Sequence, residues 1–338
     1  MPAQIFGLDI GRAFIKVVLV ETGANGKVLK AVASMPTPPG GIQSESAVDL
    51  QKLSEAIAKC TKDAKIDLDS CAVSLVESQT ITRLIQLPNL TDKELASAIK
   101  WEAEQYIPLP IKDVSLEYLV VSRPEKNTAG KMDVLLIAAP KRIIEKYTKV
   151  VKEAGLKIAS LETESTALGR GLTKKDDPAT IIVSLGAVST ELVMVASGNV
   201  IFTRSIATGG INLTRAIMGE FNLPQAQAEE YKQTYGLTSE LSGKVAAVIK
   251  PILDVIVIEI TKAIDFAHSH LNKQEIARII ITGGGAHLPG LSEYLVEKTS
   301  LEVALGDPWV DFVKEGLVLK LPGQGSFYSV ATGLALRS

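Results

Sequence analysis

The chain has 338 residues, of which 46% are hydrophobic and 5% aromatic, and its formal net charge at pH 7 is -2. This length predicts about two domains. The weak charge and the scarcity of aromatic residues argue against a nucleic-acid-binding surface, and the N-terminal residues do not predict a signal peptide. Cys60 and Cys71 are the only cysteines and suit a reducing cytoplasm. We interpret them as free core thiols, and their pairing is the alternative.

Two glycine-rich hairpins are the most informative feature of the sequence. Residues 5–20 and 181–195 each have the pattern of an apolar strand, a tight turn at glycine and a second strand. Aligning the two hairpins without gaps places Gly11 on Gly186 and Asp9 on Ser184. Backbone N–H groups in two facing turns can hold a polyphosphate between them. The pattern therefore predicts a nucleotide clamp made of two related halves.

The first part of the chain predicts strands followed by a helix. Residues 5–34 favour three antiparallel strands, with Asn25-Gly26 as the turn between the second and the third. Residues 47–65 have the apolar periodicity of an amphipathic helix, and residues 72–76 predict a short buried strand.

Residues 82–155 have the pattern of a separate block inserted into the first domain. Thr91 and Glu94 predict a capping box that opens a helix reaching Tyr106. The block's other predicted elements are strands at residues 82–87, 115–122 and 131–138 and a helix between Pro140 and Gly155.

From residue 180 the hairpin pattern restarts, and helices are predicted at residues 211–220, 224–235 and 239–271. The most apolar stretch, residues 245–264, is interrupted by proline and charged residues, so we interpret it as a buried helix and not as a membrane span. A strand-turn-helix unit from Arg278 and a helix at residues 329–336 follow. Strands alternating with helices in two similar halves predict an α/β protein with a cleft between the halves.

Asp9 and Lys16 are the first candidate pair for chemistry. Asp9 lies between two glycines of the first turn, where a carboxylate can hold Mg²⁺ through water. Lys16 follows on the second strand, from which its ammonium group can reach the same phosphates. The alternative is an ordinary hairpin whose aspartate and lysine are both solvated.

Three consecutive glycines, Gly283, Gly284 and Gly285, follow an apolar strand. Such a turn can bring the backbone against a flat ligand, or place a phosphate at a helix N-terminus. The residues that follow fit neither a P-loop nor a dinucleotide-binding fingerprint. A tight strand-to-helix turn is the alternative, but three glycines cost backbone entropy, which favours a functional interpretation.

Together, five motifs resemble those of the actin-like ATPases in chain order. They are Gly7 to Gly11 with Lys16, Gly186 with Ser189-Thr190, Ala228-Glu229 with Lys232, Thr282 to Gly285, and Ala331 to Ala335. Within that superfamily the inserted block resembles the PilM family of type IV pilus assembly proteins, through residues 82–90 and 94–108 and above all the stretch from Trp101 to Pro108. The resemblance covers nearly the whole chain.

The resemblance implies an actin-like ATPase fold of the α/β class, in which two ribonuclease-H-like halves surround a nucleotide cleft and an FtsA/PilM-type subdomain is inserted. It also implies domain boundaries. Residues 1–81 would form the first part of domain I, 82–155 the inserted subdomain, 156–179 the remainder of domain I, and 180–338 domain II, with 208–272 as its helical subdomain.

The resemblance further implies ATP and Mg²⁺ as cofactors. Asp9 would order Mg²⁺ and serve in catalysis, and Glu164 would orient the attacking water. The residues expected to contact the nucleotide are Gly11, Arg12, Ala13, Lys16, Gly186, Ala187, Ser189, Thr190, Glu229, Lys232, Gly283, Gly284 and Gly285.

One residue departs from the superfamily pattern. The second phosphate turn usually begins with an aspartate, and this chain has Ser184 there. A hydroxyl polarises a metal and its water less than a carboxylate does. We therefore expect ATP to bind but hydrolysis to be slow or absent, and Ser184→Asp to raise turnover.

The resemblance implies an adaptor of the pilus inner-membrane platform. Such a protein would be cytoplasmic, peripheral to the inner membrane through its partner, and would capture the N-terminal cytoplasmic tail of PilN without binding nucleic acid. The tail would lie between the first subdomain and the insert. Four leucine or isoleucine side chains either line that groove or form the insert's own core, namely Leu84, Leu87, Leu95 and Ile99.

Three other functions are weighed as alternatives. An FtsA-like filament former is disfavoured because the sequence stops at Ser338 with no amphipathic membrane tail after its last predicted helix, although self-association stays open. A sugar kinase would need a catalytic base outside the phosphate turns, and none is evident. An adaptor of type II secretion is disfavoured by the inserted block.

Overall fold

The computed structural model describes residues 4–124, 130–270 and 274–337. Their strands are β1 (Phe6–Ile10), β2 (Phe14–Gly23), β3 (Gly26–Pro36), β4 (Ser70–Leu75), β5 (Ile81–Pro88), β6 (Val114–Ser122), β7 (Lys131–Pro140), β8 (Lys157–Thr163), β9 (Thr180–Leu185), β10 (Thr190–Ala196), β11 (Asn199–Ile206), β12 (Arg278–Thr282) and β13 (Glu302–Leu305). Their helices are α1 (Ala47–Asp63), α2 (Asp92–Glu104), α3 (Lys141–Glu153), α4 (Glu164–Leu172), α5 (Gly210–Phe221), α6 (Gln225–Tyr235), α7 (Lys244–His270), α8 (Leu291–Thr299), α9 (Leu317–Lys320) and α10 (Ser329–Ala335).

Two five-stranded sheets share one topology. Their strand orders are β3-β2-β1-β4-β8 and β11-β10-β9-β12-β13. In each sheet the first three strands in sequence form an antiparallel meander, and the remaining two extend it in parallel from its first strand. The repeated order confirms the prediction of two related α/β halves.

Two helices fill the space between these sheets. Leu168 of α4 packs with Ile182 and Val193 of the second sheet. Ala331 of α10 packs with Val18 of the first sheet, so the C-terminal helix returns to the first half. The two sheets are therefore joined through a pair of helices packed on each other.

That helix pair depends on backbone contact. A Cβ added at Gly333 of α10 would lie 1.9 Å from the carbonyl oxygen of Ala167 in α4. A Cβ at Gly7 of β1 would lie 1.9 Å from the carbonyl oxygen of Ala331. Glycine is required at both places because only a hydrogen atom fits.

The inserted block has its own sheet, with strand order β5-β7-β6. The predicted capping box is present in α2, where the Thr91 N–H donates to Glu94 Oε2 at 2.8 Å. Leu87, Leu95 and Ile99 are buried in the block's core, so the core interpretation holds for these three side chains and the groove interpretation is wrong for them. Leu84 instead packs, partly buried, against the core of the second half.

Some sequence expectations are adjusted by the structure. The helix expected at residues 239–271 starts later, at Lys244, because Leu241 and Ser242 have left-handed φ values of 50° and 56°; its expected last residue lies outside the described residues. Cys60 and Cys71 are both buried and unpaired. In the described part of the chain, no helix is long and apolar enough to cross a membrane, α7 included.

We predict that Gly333→Ala lowers the free energy of unfolding by about 1–3 kcal/mol or more, because the new methyl group forces α10 away from α4. The matched control is Gly219→Ala in α5, where an added Cβ meets no atom within 4 Å. This control should be neutral or stabilising by up to about 1 kcal/mol. Urea unfolding of both variants measures the difference, and equal stabilities would contradict the close helix crossing.

Candidate functional site

A cavity of about 780 Å³ lies between the two hairpins. Every residue that the sequence analysis placed at the site lines this cavity, with the exception of Thr190. Thr190 is buried at the start of β10, where its hydroxyl donates to the Thr208 carbonyl oxygen at 2.7 Å. The structure thus brings together the residues of four separate sequence motifs. Thr190 does not face the cavity but is bonded to Thr208, which lines it.

The two turns at the cavity are built alike. The Gly11 N–H donates to the Phe14 carbonyl oxygen at 3.1 Å, and the Gly186 N–H donates to that of Ser189 at 2.9 Å. A Cβ at either glycine would lie within 2.9 Å of the same carbonyl oxygen. The two hairpins, which align in sequence, therefore also share this hydrogen bond.

Each turn leaves backbone donors available to the cavity. In the described part of the chain, the N–H groups of Arg12 and Ala13 have no protein acceptor, and the same holds for Ala187 and Val188 in the second turn. All four residues line the cavity. Consecutive free N–H groups in a turn make an anion-binding concavity. The cavity can therefore hold an anion from two sides.

Asp9 and Lys16 form an ion pair in the cavity wall. They face each other across β1 and β2, and Lys16 Nζ lies 3.0 Å from Asp9 Oδ2. Asp9 is only 3% exposed, and Lys16 Nζ also lies 4.5 Å from the centre of the Phe327 ring. The alternative of a solvated hairpin pair is therefore wrong for this structure.

The opposite wall carries a second paired lysine. Lys232 Nζ donates to Glu229 Oε2 at 2.7 Å and to the Thr214 hydroxyl at 3.0 Å. Desolvation of the partly buried Glu229 opposes ionisation, but hydrogen bonds from Lys232 and Thr214 outweigh it, so its pKa is lowered. Both residues project from α6 toward Gly210, where α5 begins beside the second turn.

The three-glycine turn closes the cavity beside the end of β9. The Gly285 N–H donates to the Leu185 carbonyl oxygen at 3.0 Å, and Gly283 has a left-handed φ of 83°. A Cβ at Gly283 would lie 2.6 Å from that same oxygen. These glycines therefore serve a tight turn, and they also form part of the cavity wall.

Two further carboxylates line the cavity floor. Glu164 begins α4, and burial raises its pKa well above the ordinary value, with Asp9, Glu191 and Glu77 adding repulsion. Glu191 is 4% exposed, and burial raises its pKa to about 7, although the hydroxyls of Ser189 and Ser205 donate to it. The cavity therefore concentrates acidic groups near Asp9.

Sequence reasoning missed several lining residues. Glu191 was detectable, because the alignment that places Gly11 on Gly186 also places Lys16 on Glu191. The others carry no motif of their own and reach the cavity from four different segments. The missed residues include Phe14, Glu191, Gly209, Gly210, His287, Ser326 and Phe327.

The family model for the type IV pilus assembly protein PilM matches residues 7–338. The chain belongs to the PilM family. A chain of a solved PilM–PilN type IV pilus biogenesis complex superposes with a TM-score of 0.86 at 28% identity, covering 100% of this chain and 99% of that one. The prediction of the family is therefore confirmed.

Other actin-like proteins are more distant from this PilM-family chain. The cell division protein FtsA of Streptococcus pneumoniae is 23% identical over 89% of the chain and 75% of its own length. Structures of EutJ from Carboxydothermus hydrogenoformans and of AMPPNP-bound MreB5 from Spiroplasma citri have TM-scores of 0.59 and 0.54, at 17% and 15% identity. They cover 100% and 98% of this chain, and this chain spans 91% and 95% of theirs. They confirm the predicted actin-like fold.

We predict that Glu191 makes stability fall as pH rises. Its raised pKa means that the folded chain keeps the proton up to about pH 7, whereas the unfolded chain loses it near the ordinary value of 4.5. The resulting loss develops between these two pH values, is on the order of 3 kcal/mol and stays constant above them. Glu191→Gln should remove this loss, so that the variant gains stability over the wild type between pH 5 and pH 8.

Urea unfolding at both pH values in EDTA measures this difference. The groups that face Glu191 are Glu77, Glu164, Ser189 and Ser205, and none of them is altered in the variant. Glu55→Gln on the exposed face of α1 is the control and should show no such gain. An equal stability difference at both pH values would contradict the raised pKa.

Proposed function

We propose that the protein is an ATP-binding adaptor of type IV pilus assembly that captures the N-terminal cytoplasmic segment of PilN. Membership of the PilM family, with a superposition covering the whole chain on a PilM–PilN complex, carries this proposal. The cavity between duplicated turns supports the nucleotide part of it.

The cavity has the size and chemistry for a nucleotide. Its volume of about 780 Å³ lies within the range typical of small-molecule sites. The free N–H groups of the two turns would hold the phosphates between them, and Lys16 would add a positive charge. Glu229 and Lys232 would contact the ribose or base from the wall formed by α6.

Mg²⁺ fits the same site through Asp9. Within residues 4–124, 130–270 and 274–337, no three His, Cys, Asp or Glu side chains are grouped as metal ligands. Mg²⁺ beside a nucleotide typically uses one or two carboxylates together with phosphates and water. A bound Mg²⁺ would supply charge neutralisation at the phosphates, and the buried carboxylate of Asp9 would orient its water shell.

Slow hydrolysis follows from two residues. Ser184 places a neutral hydroxyl where the superfamily has a carboxylate. The raised pKa of Glu164 favours its protonated form, which cannot accept a proton from water. We therefore infer that the protein uses ATP mainly as a ligand and turns it over weakly.

We place the PilN segment between the first sheet and the inserted block, residues 82–155. The inserted block exposes large apolar side chains, including Trp101 at 75% exposure and Leu119 at 49%. Such exposure is typical of a protein-binding surface. Because the first sheet would border both the peptide and the nucleotide, closure around ATP would change the peptide's affinity.

The deciding experiment titrates the purified protein with a synthetic N-terminal segment of PilN from the same organism, with and without Mg-ATP. We expect saturable binding that a scrambled peptide lacks, with an affinity that differs between the two conditions. Isothermal calorimetry measures both. No binding in either condition would contradict the adaptor proposal, and equal affinities would remove the nucleotide switch but leave the adaptor.

Calorimetric titration of the Lys16→Ala variant with Mg-ATP tests the nucleotide part of the proposal. Loss of a charged hydrogen bond, worth about 1.5–3 kcal/mol, should weaken ATP binding about 10–100-fold. The control is Lys30→Ala, which removes an exposed lysine paired with Glu21 on the neighbouring strand and should leave ATP affinity unchanged. Equal ATP affinities of the two variants would contradict the proposed phosphate site.

A further inference from the structure

Glu191 belongs to the residue pair in which the two hairpins differ in charge. Register pairs Asp9 with Lys16 in the first hairpin and Ser184 with Glu191 in the second. The first pair combines an acid and a base, whereas the second combines a neutral hydroxyl and an acid. The carboxylate missing at residue 184 therefore has a counterpart on the adjacent strand, directly across the ladder.

One oxygen of Glu191 is left without a partner. Oε1 accepts from the hydroxyls of Ser189 and Ser205, each at 2.9 Å. Oε2 is buried and has no hydrogen-bond partner. Among the described residues, six buried side-chain oxygen atoms, Glu191 Oε2 included, have no hydrogen-bond partner. Glu191 is the only one of these six described residues that lines the cavity. A buried unsatisfied carboxylate oxygen is costly, so a ligand that pairs with it is favoured.

The charges around the cavity floor specify the sign of that ligand. Asp9, Glu164 and Glu191 all line the cavity. Burial is the main cause of the raised pKa of Glu164, and repulsion from Asp9 and Glu191 adds to it. Lys16 is held by Asp9, and Lys232 is held by Glu229 across the cavity. A cation at the floor would relieve the repulsion, whereas an anion there would increase it.

We propose that Glu191 supplies the second carboxylate of a divalent-cation site in the cleft, together with Asp9 and in place of the carboxylate absent at residue 184. Cross-strand neighbours lie about 5 Å apart, and glutamate is one methylene longer than aspartate. A carboxylate at residue 191 on β10 can therefore serve the same cleft as a carboxylate at residue 184 on β9. The second carboxylate would act on the cation directly or through its water. The inference rests on the proposed nucleotide site, whose phosphates would complete the cation's shell.

The test measures how much a divalent cation strengthens nucleotide binding. AMPPNP is titrated by calorimetry in EDTA and again with Mn²⁺, and the ratio of the two affinities is the metal-dependent gain. We expect Glu191→Gln to reduce this gain about 10–100-fold, as losses of metal-orienting groups do, while leaving the metal-free affinity equal or stronger. A double variant that combines Ser184→Asp with Glu191→Gln should restore the gain.

Glu77→Gln is the matched control. Glu77 is 5% exposed and also has an unpartnered carboxylate oxygen, but it does not line the cavity. Its substitution removes no cavity-lining oxygen that could hold the cation or its water, so the metal-dependent gain should fall far less than in Glu191→Gln. An unchanged gain in Glu191→Gln, or a loss that Ser184→Asp does not restore, would overturn the inference.

Titration with Mn²⁺ alone, followed by the loss of its free electron paramagnetic resonance signal, separates this inference from the nucleotide proposal. Binding by the wild type that Glu191→Gln loses would support the cation site even if AMPPNP does not bind. AMPPNP binding with a gain that is insensitive to Glu191→Gln would uphold the nucleotide site and reject the role of Glu191.

Discussion

The site depends on one hydrogen bond that occurs twice. In each half a glycine N–H donates to the carbonyl oxygen of the residue three positions later in the chain. A Cβ at that glycine would come too close to the same oxygen, so the turn can close in this way only at glycine. The two residues after the glycine are then left with free N–H groups at the cavity. Because the same bond recurs in the second half of the chain, the fold presents two equivalent anion-binding turns toward one space.

The two halves keep this backbone and differ in charge. The first hairpin buries an acid and a base that satisfy each other, and the second buries a glutamate with one unpaired oxygen. We propose that this asymmetry lowers the capacity of the cleft to activate water and favours a bound cation. Under the proposed function, such a cleft would retain a nucleotide without turning it over rapidly.

Backbone features were predictable from the sequence to a large extent. The duplicated glycine turns, the Thr91 capping box and the three-glycine turn each follow from local residue chemistry, which acts within a few positions. The burial of Leu87, Leu95 and Ile99 in the insert's core was not decided by the sequence, because an apolar side chain fits a groove and a core equally well. The inward position of Phe327 depends on how distant segments pack, which no local pattern contains.

Hydrogen–deuterium exchange with and without Mg-ATP tests the two-turn cleft most directly. The duplicated geometry predicts slower exchange on adding Mg-ATP in both turns, residues 9–16 and 184–191, and also in the glycine turn at 283–285. Protection confined to one turn, or absent from both while ATP is bound, would contradict a nucleotide held between the two halves.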